Sequence, residues 1–300
     1  MKHLLEIDDL DPTTLTSILD RAIAWKVDPG AMPAALAGVG VAALFEKPSA
    51  RTRLSMEMAV HSLGGRCIYI RSEEVSIGVR ESVADVTRTL ASFCGVLAGR
   101  VFEHRVLEQM AAVDVAPVIN LLSDRAHPCQ ALADLLTLRE HFGDLEGRRL
   151  VYVGDGNNVV ASLAFAAALS GVELTVSSPS GFELDADVVA RARNLGGAID
   201  LIADPFDAVR DADAIYSDAF FSMGQEDEAE VRRVAFAGYQ VTTELLAAAP
   251  DTAIYLHCLP AHRGEEVTDE VIDGPRSLVW QQAANRMHSL RPVLADLVAP

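Results

Sequence analysis

Apolar residues in this chain fall into short runs that alternate with segments where they recur every third or fourth position. The run at residues 39–45 has the length and β-branched content of a buried strand. Leu54, Met58, Val60 and Leu63 follow at a spacing that predicts one face of a helix. The alternation then continues. Residues 67–70, 95–99 and 115–121 read as strands, with helices over 81–93 and 130–142. A second strand series follows at 150–154, 172–177, 199–203, 214–218 and 254–258, and residues 281–298 read as a closing helix. Ahead of all these, residues 11–25 are amphipathic, with Leu15, Ile18, Leu19 and Ala22 on one side and Asp-Pro as a helix start. Strands separated by helices of this length predict βαβ units and parallel sheets. The expected fold class is α/β, as two open, mostly parallel, doubly wound domains with a cleft between them. The expected bounds are 1–130 and 131–280, with 281–300 packing back on the first. Ligands in such sheets sit at the carboxyl ends of the strands.

Composition narrows the classes. The chain has 300 residues, half of them hydrophobic, enough for two domains with substantial cores. Its net charge of −18 argues against nucleic acid or an anionic membrane as partner, because both select basic faces. The first residues carry Glu6, Asp8 and Asp9 rather than a basic and apolar signal. No charge-free apolar run approaches the roughly 18 residues a membrane helix needs. Cys67, Cys94, Cys129 and Cys258 are far apart and lack metal-ligand spacing, so a reduced cytoplasmic protein is expected.

The candidate chemistry lies at the strand ends. Ser49 after the turn at Pro48 is placed to cap a helix whose first turn holds Arg51, Thr52 and Arg53. Free N–H groups at a positive helix end, beside two guanidiniums, make an anion pocket suited to phosphate. Arg100 directly follows an apolar strand, and His127-Pro128-Cys129-Gln130 leads from another strand into a helix. The His-Pro pair alone reads as a plain helix start; with Arg100 it can polarise one carbonyl oxygen. Gly154-Asp155-Gly156-Asn157-Asn158 lacks the third glycine of a dinucleotide loop, since Val159 stands there, and a polar turn offering Asn158 to a small substrate is better supported. Asp218, followed by Phe220, Ser222 and Met223, reads either as a surface loop or as a partner for a substrate ammonium. Cys258 is either an inert buried thiol or a cleft residue, and its carbonyl and that of Leu259 can accept from an NH2 group. Arg286, on the last helix, can reach back to the same cleft.

Four motifs in chain order, Ser49-x-Arg51-Thr52-Arg53, His127-Pro128-Cys129-Gln130, Asp218-x-Phe220-x-Ser222-Met223-Gly224 and His257-Cys258-Leu259-Pro260, carry a resemblance. The chain resembles the aspartate/ornithine carbamoyltransferase family over nearly its whole length, as far as Ala283-Ala284-Asn285-Arg286, and within that family it is similar to the ornithine branch. The Ser-Met-Gly loop and the Cys in His-Cys-Leu-Pro mark that branch, and Val79 stands where the aspartate branch has a substrate-binding lysine.

The resemblance implies transfer of the carbamoyl group of carbamoyl phosphate to the δ-amine of L-ornithine, giving citrulline and phosphate, with a place in arginine biosynthesis. It implies a carbamoyl-phosphate-binding first domain and an ornithine-binding second. Carbamoyl phosphate is expected on Ser49, Ala50, Arg51, Thr52, Arg100, His127, Gln130, Cys258, Leu259 and Arg286, and ornithine on Asn158, Asp218, Ser222 and Met223. Cys258, Arg100 and His127 are the expected catalytic groups, with no metal or organic cofactor and with a homotrimer or larger trimer-based assembly. Four positions depart from the family pattern: Ala50 for Thr, Ser76 for Gln or His, Phe220 for Trp and Ala284 for Glu. The alternatives are a carbamoyltransferase for a related amine such as putrescine, or a non-catalytic carbamoyl-phosphate-binding paralogue.

Overall fold

The structure, a computed structural model, describes residues 1–221 and 229–299. Its contacts divide the chain into two compact units, Met1–Leu136 with Ala284–Pro300, and Thr137–Ala283. Both are parallel sheets flanked by helices, an α/β architecture.

The first unit runs α1 (Pro12–Val27), β1 (Gly40–Phe45), α2 (Ala50–Ser62), β2 (Arg66–Arg71), α3 (Ser72–Val75), α4 (Val83–Ala91), β3 (Val96–Arg100), α5 (His104–Ala112), β4 (Val118–Leu122) and the start of α6 (Pro128–Phe142). Its four strands are all parallel in the order β2-β1-β3-β4. The chain therefore leaves β1 toward β2 on one side and resumes at β3 on the other. The carboxyl ends of β1 and β3, where Phe45 pairs with Arg100, form the topological switch point at which such sheets bind ligands. Ala42, Leu44, Leu97, Val101, Leu107 and Met110 are buried in the core between the sheet and its helices.

The expected face of α2 is corrected in part. Val60 and Leu63 are buried, but Leu54 is 59% and Met58 47% exposed. The buried stripe is Thr52, Ser55, Met56, Ala59 and Val60. Leu54 and Met58 share a row one helical step away from it, so a pair at i,i+4 satisfied the periodicity on the wrong side.

The second unit takes the rest of α6, then β5 (Arg149–Val153), α7 (Asn158–Ser170), β6 (Glu173–Ser177), α8 (Ala186–Asn194), β7 (Ile199–Leu201), α9 (Pro205–Ala208), β8 (Ala214–Ser217), α10 (Ala229–Ala235), α11 (Thr243–Ala248), β9 (Ile254–His257), α12 (Asp269–Ile272) and the first turn of α13 (Val279–Leu297). Its strand order is β7-β6-β5-β8-β9, again all parallel. Here the switch point lies between β5 and β8, with β9 next to β8. Most of α13 belongs to the first unit, where Arg21 grips Asp296 through two bonds of 2.7 and 2.6 Å and Lys26 donates to Asn285 at 2.8 Å.

Candidate active site

At the first switch point Ser49, in extended conformation, caps α2, and its Oγ accepts the Thr52 N–H at 3.3 Å. The Ala50 and Arg51 N–H groups are then the free donors of the first turn, at the positive end of the helix. Thr52 is buried, and its Oγ1 accepts from two guanidiniums, Arg100 at 3.4 Å and Arg286 at 3.0 Å. A hydroxyl has two lone pairs and one hydrogen. With both lone pairs engaged, the Thr52 O–H is left to donate outward. Arg51 is half-buried, and its Nε has no acceptor among the described residues.

Arg100, His127, Gln130 and Arg286 are all buried, although each is polar. Burial, then the charges of Arg286 and Arg100, hold the His127 imidazole well below its ordinary range, so it stands neutral and can donate one N–H. Burial and Arg100 likewise lower Lys47, whose ammonium sits 4.5 Å over the Phe102 ring. Cations gathered around a capped helix end, with a neutral imidazole beside them, can hold a phosphate dianion and polarise a neighbouring carbonyl.

In the second unit, three adjacent strand ends bring Gly154–Asn158, Asp218 and Cys258 together. Val153 pairs with Ser217, and Ser217 with His257. Asn157 caps α7. Its Oδ1 accepts from Val159 N and Val160 N, and its Nδ2 donates 2.8 Å to Asp218 Oδ2. Asp218 Oδ1 accepts the Cys258 thiol at 2.8 Å and the Ala219 N–H at 2.8 Å. A carboxylate has about four lone-pair sites, so this fixed Asp218 retains capacity for an ammonium. Gly156 is required by packing: a Cβ there would lie 2.3 Å from the Glu183 carbonyl oxygen.

The His-Cys-Leu-Pro segment is held from behind. His257 Nδ1 accepts from Leu259 N at 2.8 Å, which places its ring hydrogen on Nε2, and Nε2 donates 3.0 Å to the buried Glu266. The same Glu266 oxygen accepts the His262 N–H, and Gln282 accepts the His257 N–H. Leu259 has φ +59, a left-handed conformation that non-glycine residues seldom adopt. Asp218, His257 and Cys258 have donor atoms within 4.8 Å of one another, as do His262, Glu265 and Glu266. In the first trio both ring nitrogens and the thiol hydrogen are already engaged, so a metal ligated there would have to displace those bonds.

The family assignment decides what these two sites belong to. The family model described as Aspartate/ornithine carbamoyltransferase, carbamoyl-P binding domain, matches residues 2–140, and the one described as Aspartate/ornithine carbamoyltransferase, Asp/Orn binding domain, matches residues 146–297. The chain belongs to the aspartate/ornithine carbamoyltransferase family. It is 45% identical over 302 residues to the ornithine carbamoyltransferase of Acidothermus cellulolyticus, covering 99% of this chain and 97% of that one. It is 43% identical to the anabolic ornithine carbamoyltransferase of Pyrococcus furiosus, over 98% and 95% of the two chains. The solved structure of ornithine carbamoyltransferase from Pyrococcus furiosus superposes with a TM-score of 0.94, over 98% and 96%.

Against that family frame, Ser49, Ala50, Arg51, Thr52, Arg100, His127, Gln130 and Arg286 all lie in the first unit, and Asn158, Asp218, Cys258 and Leu259 in the second. Ser222 and Met223 lie outside the described residues. Phe220 turns inward. It is 4% exposed and stacked on Phe236 at 4.5 Å. Ala50 and Ala284 are exposed, and Ser76 sits in a left-handed turn with φ +46.

Three residues escaped the sequence reading. Asn157 was legible as the Asx cap one place before the helix. Glu266 and Arg232 had no local signal. Arg232 donates 3.0 Å to Asp155 and 3.1 Å to the Phe220 carbonyl, in a buried ion pair that ties α10 to the loop after β5.

Proposed function

We propose that this chain is an ornithine carbamoyltransferase that makes citrulline and phosphate from L-ornithine and carbamoyl phosphate. The observation that carries the reading is the Thr52 hydroxyl. Two buried guanidiniums hold it at a capped helix end, with its hydrogen left to donate.

The phosphate sits on Ser49, the Ala50 and Arg51 N–H groups and the Arg51 guanidinium. The carbonyl oxygen takes hydrogen bonds from Thr52, Arg100 and His127, which draw electrons from the carbon and stabilise the charge that develops on attack. Asp218 pairs with the ornithine α-ammonium, Asn158 binds its carboxylate, and Cys258 orients the δ-amine. The neutral amine forms the new C–N bond, the C–O bond to phosphate breaks, and phosphate leaves with the proton. Positioning and electrostatics supply the acceleration.

The finer parts of the proposal are a homotrimer, a cytoplasmic setting and an anabolic role. β2 is the edge of the first sheet, and Leu54, Met58 and Ile68 on α2 and β2 are exposed, a surface suited to a second copy. Light scattering on a sizing column reads the assembly, and a monomer overturns that part. The cysteines are free thiols, in keeping with a reducing compartment. The name of the Pyrococcus furiosus relative supports the anabolic direction. Citrulline formation by the purified chain tests the reaction itself. Folded protein that binds carbamoyl phosphate without forming citrulline would instead favour the binding paralogue.

A further inference from the structure

We propose that Asp134 is a positioning residue, which fixes the amide of Gln130 so that the site selects a carbamoyl group over an acetyl group. The proposal builds on the reading that Gln130 faces the amide of carbamoyl phosphate.

Gln130 and Asp134 lie one turn apart on α6, both in the first unit and both essentially without exposure, at 1% and 0%. Gln130 Nε2 donates to Asp134 Oδ1 at 2.8 Å. With Asp134 Oδ1 as the acceptor of that bond, the Gln130 amide is held in one orientation, NH2 toward Asp134 and carbonyl away from it. The carbonyl Oε1 is buried and has no hydrogen-bond partner among the described residues. Buried acceptors are seldom left open, and an NH2 donor delivered by the ligand satisfies this one.

Without Asp134 the terminal amide torsion is close to two-fold, and Gln130 can present either end. With NH2 outward, it would meet the ligand NH2 donor to donor. Asp134 thus touches no substrate atom, yet it sets which atom of Gln130 the substrate meets. Acetyl phosphate has the same phosphate and carbonyl but a methyl in place of NH2, so it isolates this contact. Inorganic phosphate lacks both and reports on the cradle alone.

The test measures carbamoyl phosphate KM together with inhibition constants for acetyl phosphate and inorganic phosphate, in the full chain and in Asp134→Asn and Asp134→Leu. Asn keeps the shape but can hold Gln130 either way round, and Leu removes the acceptor. The expected result is a rise in carbamoyl phosphate KM of about tenfold, one buried hydrogen bond's worth, with phosphate and acetyl phosphate constants little changed. The preference for carbamoyl over acetyl then collapses in Leu and falls partway in Asn. If Leu fails to fold, Asn carries the test. Variants that keep the parent preference overturn the role of Asp134. A parent chain with no preference between the two acyl phosphates overturns the placement of Gln130 itself.

Discussion

Arg286 Nη2 donates to Thr52 Oγ1 at 3.0 Å, joining residues 234 positions apart. The bond fastens the closing helix to the first turn of α2, at the point where Arg100 also reaches the same oxygen. Replacing that oxygen strips an acceptor from two buried guanidiniums and removes the one hydroxyl hydrogen left for substrate. Thr52→Val, which keeps the shape, should raise carbamoyl phosphate KM by about tenfold or more, a loss on the scale of one to two charged hydrogen bonds. Steady-state kinetics check this, and an unchanged KM would take Thr52 out of the site.

Arg51 is half-buried at the same helix end, with Nε open. Arg51→Ala should lower kcat/KM for carbamoyl phosphate by at least about a hundredfold, as loss of a preorganised charge donor does. The melting temperature should stay close to that of the parent, because the side chain fills no core. Near-full turnover would mean the phosphate lies elsewhere.

His127 gives the protein an acid limit. Its folded value lies well below the ordinary 6.5, through burial first and then Arg286 and Arg100. Above pH 6.5 the imidazole is neutral whether folded or not, and its share of stability is complete. As pH falls below 6.5, the unfolded chain takes a proton that the folded chain refuses. Stability then declines, at up to about 1.4 kcal/mol per pH unit, until the lowered folded value is reached. Denaturant melts from pH 7 to pH 5 should show this decline, and His127→Asn should flatten it. Equal slopes in the two proteins would contradict the assignment.

Arg232 compensates the buried charge of Asp155 and holds the Phe220 carbonyl. Arg232→Met removes this partner of the buried Asp155 and should lower stability by up to about 3–5 kcal/mol. Ornithine KM should rise more than carbamoyl phosphate KM, since the pair braces the second unit's strand ends. A melting curve like the parent's would show that Asp155 is held by other contacts.

Much of the fold and of the site is readable from local pattern. Strand runs, the Ser49 cap and the Pro128 helix start are statements about a few consecutive residues, and they are enough to place Arg51, Arg100 and His127 at strand ends. The side of α2 that is buried is not readable in this way, because Leu54 and Met58 satisfy helical periodicity as well as Met56 and Val60 do. Pairings such as Arg232 with Asp155, or Glu266 with His257, depend on how distant strands line up in a sheet. Short-range spacing carries no trace of that register. Cys258 shows the boundary most plainly. Its place at a strand end is legible, but its thiol hydrogen bond to Asp218 appears only when β8 and β9 are set side by side.

The most direct test of the account is carbamoyl transfer by the purified chain, with ornithine, putrescine, N-acetylornithine and aspartate offered in parallel. Product is expected with ornithine and little with the other three: in the proposed role Asp218 pairs with a free α-ammonium, which putrescine and N-acetylornithine lack, and aspartate has no δ-amine. Equal or greater turnover of another amine would contradict the assignment of Asp218, and silence across all four, from folded protein, would contradict the enzyme.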